Sequence, residues 1–313
     1  MKRSLAAGIL VSATLATQAV AADDPATCRA PSFSDVGWTD ITATTATATM
    51  ILEALGYAPD VSVLSVAVTF ESLKKGDTDI FLGNWMPVQE AMQVPLVEAG
   101  EIEVVRTNLE GAVIGLAVPK KTHDEGLKAY ADIAGFRDQL GGRIYSIEAG
   151  SGANATILEM IGNDMFGLAG FELVESSEQG MLAQVQRAIQ SENDIVFFGW
   201  RPHSMNVRFD IEYLTDGNDV FGPNDGAATV LTTTRTGFSA DCPNLGRFLS
   251  NLVFTVEAED LMMSYILDEG QEARDAAGRW LKDNPQVLDT WLADVTTLDG
   301  EPGLEAVRKA LDL

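Results

Sequence analysis

Short apolar runs alternate with longer amphipathic stretches along most of this chain, and that alternation leaves few architectures open. "FSDVGW" (33–38) and "VSVLSVAV" (61–68) read as strands, and "FESLKKG" between them and the next run reads as a short helix stopped at Gly76. "DIFLGNW", "IEVVRTN", "VIGLAVP" and "RIYSIE" (143–148) continue the strands. "GANATILEMIGND", "FELVES", "GMLAQVQRAIQSE" and "DIVFFGW" then read helix, strand, helix, strand. Strands separated by helix-length crossovers make an α/β architecture with mostly parallel sheets. From about residue 243 the pattern is almost wholly helical, as in "LGRFLSNLVF" and "EARDAAGRWLKDNP".

Within this pattern sits an echo. "ESLKKGDTDIFLGNWMP" (71–87) and "AQVQRAIQSENDIVFFGWRP" (183–202) share an order: helix, polar turn, Asp-Ile strand, Gly, Trp, Pro. Coincidence among buried aromatics is one reading. The other is two similarly built lobes, each offering a tryptophan at a strand's carboxyl end, where open α/β sheets place ligands. A third tryptophan has the same setting. Trp38 follows Gly37 at the end of "FSDVGW", and Thr39 or Asp40 is placed to cap the helix that runs on to Leu55. Trp280 and Trp291 fall in the helical tail and read as packing residues.

The first residues, "MKRSLAAGILVSATLATQAVA", combine Lys2 and Arg3 with an apolar stretch and an Ala-Val-Ala ending, the pattern of a cleavable secretory signal over 1–21. The stretch is too short for a membrane span, so export to the periplasm is the expectation. Two cysteines, Cys28 and Cys242, lie beyond that leader; in an oxidising compartment a single disulfide is the natural reading, with two free thiols as the alternative. Two histidines, His123 and His203, leave almost no material for a zinc site or a Ser-His-Asp triad, so no metal, cofactor or catalytic residue is expected. His203, after Pro202, reads as a turn residue with a satisfied ring nitrogen. A formal charge of −25 argues against nucleic acid and anionic membranes as partners and favours cations entering a cleft.

Several indole faces converging on one cleft suit a methylated ammonium group, a bulky cation that donates no strong hydrogen bond but is drawn to the negative faces of the rings. Asp40 has two readings, a helix cap or a charge and hydrogen-bond acceptor for the ligand. "EAGSGANATILEM" (148–160) is a Gly-rich turn opening a helix, whose free N–H groups and Ser151 or Asn154 can meet a polar ligand end. No Gly-Lys-Ser/Thr follows, so it is not a phosphate loop. "SSEQGMLAQV" (176–185) is a similar polar entry to a helix.

The stretches "FSDVGWTDITATTATAT", "ILEALGY", "DIFLGNWMP", "VESSEQGMLAQV", "GWRPH", "DVFGPN" and "WLKDNP" closely resemble the periplasmic choline-binding proteins of ABC importers, within the glycine betaine/proline-betaine/choline class. The resemblance runs through essentially the whole chain after the leader. It implies a two-lobed, type II-like binding protein. Each lobe is a mixed or parallel sheet flanked by helices, and a hinge joins the two. Lobe 1 would be 22–115 with 222–313, and lobe 2 would be 116–221. It also implies a disulfide matching Cys28 and Cys242. The family's trimethylammonium box of four aromatics matches at Trp38, Trp85 and Trp200, and its acidic partner of the choline hydroxyl matches Asp40. Two positions depart: Ile114 stands where the family carries a tyrosine, and Ser151 where it carries an asparagine.

The resulting expectation is a monomeric receptor that captures choline or a similar quaternary ammonium compound and passes it to a membrane permease. Glycine betaine, carnitine, trimethylamine N-oxide and dimethylsulfoniopropionate are the alternative ligands. A free carboxylate would be repelled by Asp40 unless that side chain turns away. The remote alternative is an exported choline-ester hydrolase with Ser151 as nucleophile, which needs a base nearby and has only two histidines to draw on.

Overall fold

The computed structural model describes residues 24–313, so the leader reading lies outside the described residues. Among the described residues nine strands form one sheet. They are β1 (Ser32–Asp35), β2 (Asp60–Val63), β3 (Ile80–Met86), β4 (Ile102–Pro119), β5 (Arg143–Tyr145), β6 (Glu172–Val174), β7 (Phe197–Arg201), β8 (Ile211–Tyr213) and β9 (Ala227–Arg235). Their order is β2-β1-β3-β9-β4-β7-β5-β6, with β8 also pairing β4.

The two flanks are parallel, β1 with β2 and β3, and β5 with β6 and β7. Helices supply the crossovers there: α1 (Thr39–Ala54) and α2 (Val66–Lys75) on one side, α3 (Gly152–Gly162) and α4 (Glu178–Gln190) on the other. The centre departs from the mostly parallel expectation. β9 runs antiparallel to β3 and β4, and β4 runs antiparallel to β7 and β8. The sheet is therefore mixed.

Three local expectations are corrected. "IEVVRTN" and "VIGLAVP" are one 18-residue strand; the Glu110-Gly111 break between them is absorbed by register shifts against β9, with Gly111 at φ 76°. "VSVLSVAV" is divided at Ser65, whose hydroxyl accepts from the Val68 N–H and starts α2. β9 has no counterpart in the sequence reading, because its threonines blur the apolar pattern; Thr232, Thr233 and Thr234 are nevertheless fully buried.

α1 lies in the middle of its half of the molecule. It packs on the sheet and against α5 (Val256–Leu267) and α6 (Ala273–Asp283). Its Ala/Thr composition permits burial on nearly every side. Side chains are small, and the Thr47 and Thr49 hydroxyls donate to the Ala43 and Thr45 carbonyls at 2.8 Å, which leaves those polar atoms satisfied. Cys28 and Cys242 are disulfide-bonded across 214 residues, with Cα atoms 5.8 Å apart, so the free-thiol alternative fails. Among the described residues no helix is long and apolar enough to cross a membrane.

Candidate ligand site

The strand order brings the three strand-end tryptophans together. Trp38 leaves β1 through Gly37, which holds φ 80°, and stands at the start of α1. Trp85 lies on β3 and Trp200 on β7, on opposite sides of β4. All three line one cavity, and each is at most 6% exposed. Ile114 of β4 stands in register with Trp200 and lines the same space, as does Ser151 at the N-terminus of α3. The atom-free volume among them is ≈ 340 Å³, including the margin open to solvent.

Phe198 also lines this cavity and was not singled out from the sequence. It lies two residues before Trp200, hence on the same face of β7, and stacks against it with ring centroids 5.7 Å apart. The alternation in "FFGW" carried that signal. Close backbone approach explains one glycine of the site. A Cβ at Gly152 would lie 1.9 Å from the Val88 carbonyl oxygen, so only glycine lets α3 approach the turn after β3.

The polar edges of two indoles are tied to carboxylates. Trp38 Nε1 donates to Glu148 at 2.9 and 3.1 Å, and Trp85 Nε1 donates to Asp40 Oδ2 at 3.0 Å. With their N–H groups so engaged, the rings act toward the cavity as apolar, electron-rich surfaces. Ser151 is the N-cap of α3, its Oγ accepting from the Asn154 N–H at 3.2 Å.

Asp40 is fully buried in the first turn of α1 and does not cap it. Its Oδ1 has no hydrogen-bond partner among the described residues, and its side chain does not line the cavity. Burial, and then the neighbouring Glu178, push its pKa up to about 8, against the opposing hydrogen bond from Trp85. Glu259 of α5 is raised well above the ordinary carboxyl range by burial and by Asp40.

Thr39 does not cap α1 with its side chain either. Trp38 holds the capping position without a side-chain bond, and the Thr39 N–H is taken by Glu178 Oε2 at 2.8 Å. In "SSEQG" the cap of α4 is Ser177, which accepts from the Gly180 N–H, while Glu178 crosses to α1. His203 is buried with both ring nitrogens engaged, Nδ1 accepting from the Met205 N–H and Nε2 at 2.9 Å from Glu178 Oε1. Among the described residues no group of three His, Cys, Asp or Glu side chains could hold a metal ion.

An aromatic cavity set between the two parallel flanks of a mixed α/β sheet defines a solute-binding protein of the two-lobed class. Residues 32–283 match the substrate-binding domain of ABC-type glycine betaine transport systems, and the chain belongs to that family. Its members are the extracytoplasmic components of importers, working with a membrane permease. A solved ABC-transporter choline-binding protein in complex with choline is 54% identical, with TM-score 0.90, covering 92% of this chain and 100% of that one. The unliganded semi-closed conformation of an ABC-transporter choline-binding protein is likewise 54% identical over the same shares, with TM-score 0.84. The glycine betaine/carnitine transport binding protein GbuC of Listeria monocytogenes serotype 1/2a (strain 10403S) is 30% identical over 164 residues, 52% of this chain and 53% of that protein.

Proposed function

We propose that this chain captures choline, or a closely similar quaternary ammonium ion, in the cavity walled by Trp38, Trp85 and Trp200. The observation that carries the reading is the orientation of two of those indoles. Trp38 and Trp85 turn their N–H groups onto carboxylates and leave their apolar surfaces to the cavity. A methylated cation gains roughly 0.5–2 kcal/mol per ring in such a setting. Phe198, Ile114, Val88 and Ile147 extend the apolar lining. Choline leads among the candidates because the carboxyl of Asp40 is held at the indole edge of Trp85, one of the cavity walls.

The reading extends to the rest of the molecule. On this reading 22–115 with 222–313 make one lobe and 116–221 the other, residues 22 and 23 lying outside the described residues. The long β4 and the return into β9 are the links about which they move. The protein works as a monomer in the periplasm and hands its ligand to the permease without making or breaking a bond. Ester hydrolysis finds no support at Ser151, whose Oγ is committed to the Asn154 N–H, while both ring nitrogens of His203 are engaged elsewhere.

A ligand with a carboxylate is the second reading. Ser151, Gly152 and Ala153, at the N-terminus of α3, line the cavity, and a helix N-terminus favours negative charge. Intrinsic tryptophan fluorescence titrated with choline, glycine betaine, carnitine, trimethylamine N-oxide and dimethylsulfoniopropionate decides between them. Quenching or shift at the lowest concentration by choline supports the first reading. Preference for the carboxylates supports the second, and no response to any of them removes the onium cage.

A further inference from the structure

Two walls of the cavity come from separate flanks of the sheet, yet one buried side chain touches the support of both. Glu178, 1% exposed at the start of α4, accepts from the Thr39 N–H at 2.8 Å and from the Thr39 hydroxyl at 2.7 Å. The same carboxylate meets His203 Nε2 at 2.9 Å. Because the Met205 N–H donates to Nδ1, Nε2 carries the proton and donates. Thr39 is the residue after Trp38. The His203 ring stands edge-on to Trp200, with centroids 4.6 Å apart. Thus three donors from the neighbourhoods of two cage tryptophans converge on one carboxylate.

The first of those donors is a helix end. The opening N–H groups of an α-helix have no partner within the helix, and a side chain just before it ordinarily supplies one. At α1 that position holds Trp38, whose side chain makes no such bond. The acceptor comes instead from α4, 139 residues further along the chain. When the two flanks separate, the Thr39 N–H and hydroxyl and the Glu178 carboxylate all lose these partners. Water then takes their place.

We propose that Glu178 is a positioning residue that locks the Trp38 and Trp200 walls in their closed arrangement and thereby sets how long a bound cation stays. The inference rests on the onium-cage reading for its ligand, but the joint itself does not. Affinity differences among variants of one site are carried mainly by the dissociation rate, and a lock that forms as the site closes acts on that rate.

The test uses the full-length exported protein with choline as the probe. Glu178→Gln keeps the shape but offers one acceptor and two donors to a place where three donors meet. Stopped-flow tryptophan fluorescence is expected to show a choline dissociation rate raised about tenfold or more, with the association rate within about threefold of the parent. Thr39→Val removes the hydroxyl donor and is expected to shift the dissociation rate in the same direction, and Thr39→Ser to restore it. That pair also decides the matter should Glu178→Gln fail to fold. Loss of thermal stability with an unchanged dissociation rate in Glu178→Gln and Thr39→Val, or a change carried by association alone, overturns the proposal. If choline does not bind the parent protein, the choline reading fails while deuterium uptake at the Thr39 amide still reports the joint. Slower exchange in the parent than in Glu178→Gln supports it, and equal exchange overturns it.

Discussion

Asp40 stands at the polar edge of Trp85, its Oδ2 accepting the indole N–H at 3.0 Å while its Oδ1 has no hydrogen-bond partner among the described residues. Burial pushes this carboxyl up to about 8, so it is neutral in mildly acid solution and becomes charged as the pH passes that value. A cation in the cage is favoured by the charged form. Choline affinity is therefore expected to rise from pH 6 to pH 9, whereas glycine betaine, which carries its own carboxylate, gains nothing and weakens if that group faces Asp40. Isothermal calorimetry at pH 6, 7.5 and 9 measures this, with Asp40→Asn as the flat reference. A pH-independent choline Kd in the parent would show that Asp40 does not act on the ligand.

The same group makes a second, ligand-free prediction. Folded Asp40 keeps a proton up to about pH 8 that the unfolded chain releases near its ordinary value of 3.8. Between those values the native state binds more protons than the unfolded state, so stability falls as pH rises and levels off above the folded pKa. Glu259 and Asp35, both raised by burial, act in the same direction. The melting temperature is expected to be higher at pH 5.5 than at pH 8.5, and Asp40→Asn is expected to reduce the slope. A melting temperature that climbs across this range contradicts the assignment.

Replacing the cage tryptophans tests the walls one by one. Trp38→Ala, Trp85→Ala and Trp200→Ala are each expected to weaken onium binding by roughly 1–3 kcal/mol through lost cation–π attraction and lost apolar contact. Trp291 is the control. It stacks with Trp280 at 5.8 Å, away from the cavity, so Trp291→Ala is expected to lower stability by about 3–5 kcal/mol and leave affinity alone. Parent-like affinity in two of the three cage variants ends the assignment.

Ile114 and Ser151 are the positions at which the chain departs from the choline-binding pattern; both line the cavity, and on the proposed reading they meet different ends of the ligand. Ile114→Tyr adds a ring opposite Trp200 and is expected to tighten choline, glycine betaine and tetramethylammonium alike by about 0.5–2 kcal/mol. Weakening of all three instead means that the space beside residue 114 is already filled. Ser151→Asn preserves a good helix cap while extending a polar group, and is expected to favour choline over tetramethylammonium by roughly 0.5–1.5 kcal/mol. Calorimetry with both ligands separates the cases, since an equal shift shows that residue 151 does not face the hydroxyl end.

The crossover helices were legible because their apolar spacing and their Gly and Ser punctuation are local. Gly76, for instance, ends α2 at φ 74° as its position suggests. Trp38, Trp85 and Trp200 were legible for a similar reason, each being a large ring beside a glycine at a strand end. Phe198 was masked by the brighter signal of Trp200 two residues on. Ile114 has no mark of its own within a strand, and its place came only through the resemblance. Glu178 was legible only as part of a polar entry to a helix; its joint was not, because its partners Thr39 and His203 lie 139 and 25 residues away and only the folded chain makes them neighbours. β9 was missed because three buried threonines imitate a polar segment.

The position of β9 between β3 and β4 has a consequence for the order in which the chain can acquire structure. β1, β2 and β3 are complete by residue 86, but the strand that joins them to β4 begins at Ala227. Cys28 likewise waits for Cys242. The amino-terminal quarter of the protein is thus synthesised long before the partner that finishes its sheet. Until that partner arrives it presents an open β3 edge and an unclosed core. Such long-range pairing is slow to form and leaves unpaired strand edges exposed to association in the meantime. The central sheet of such a chain is complete only when its last third returns to the first.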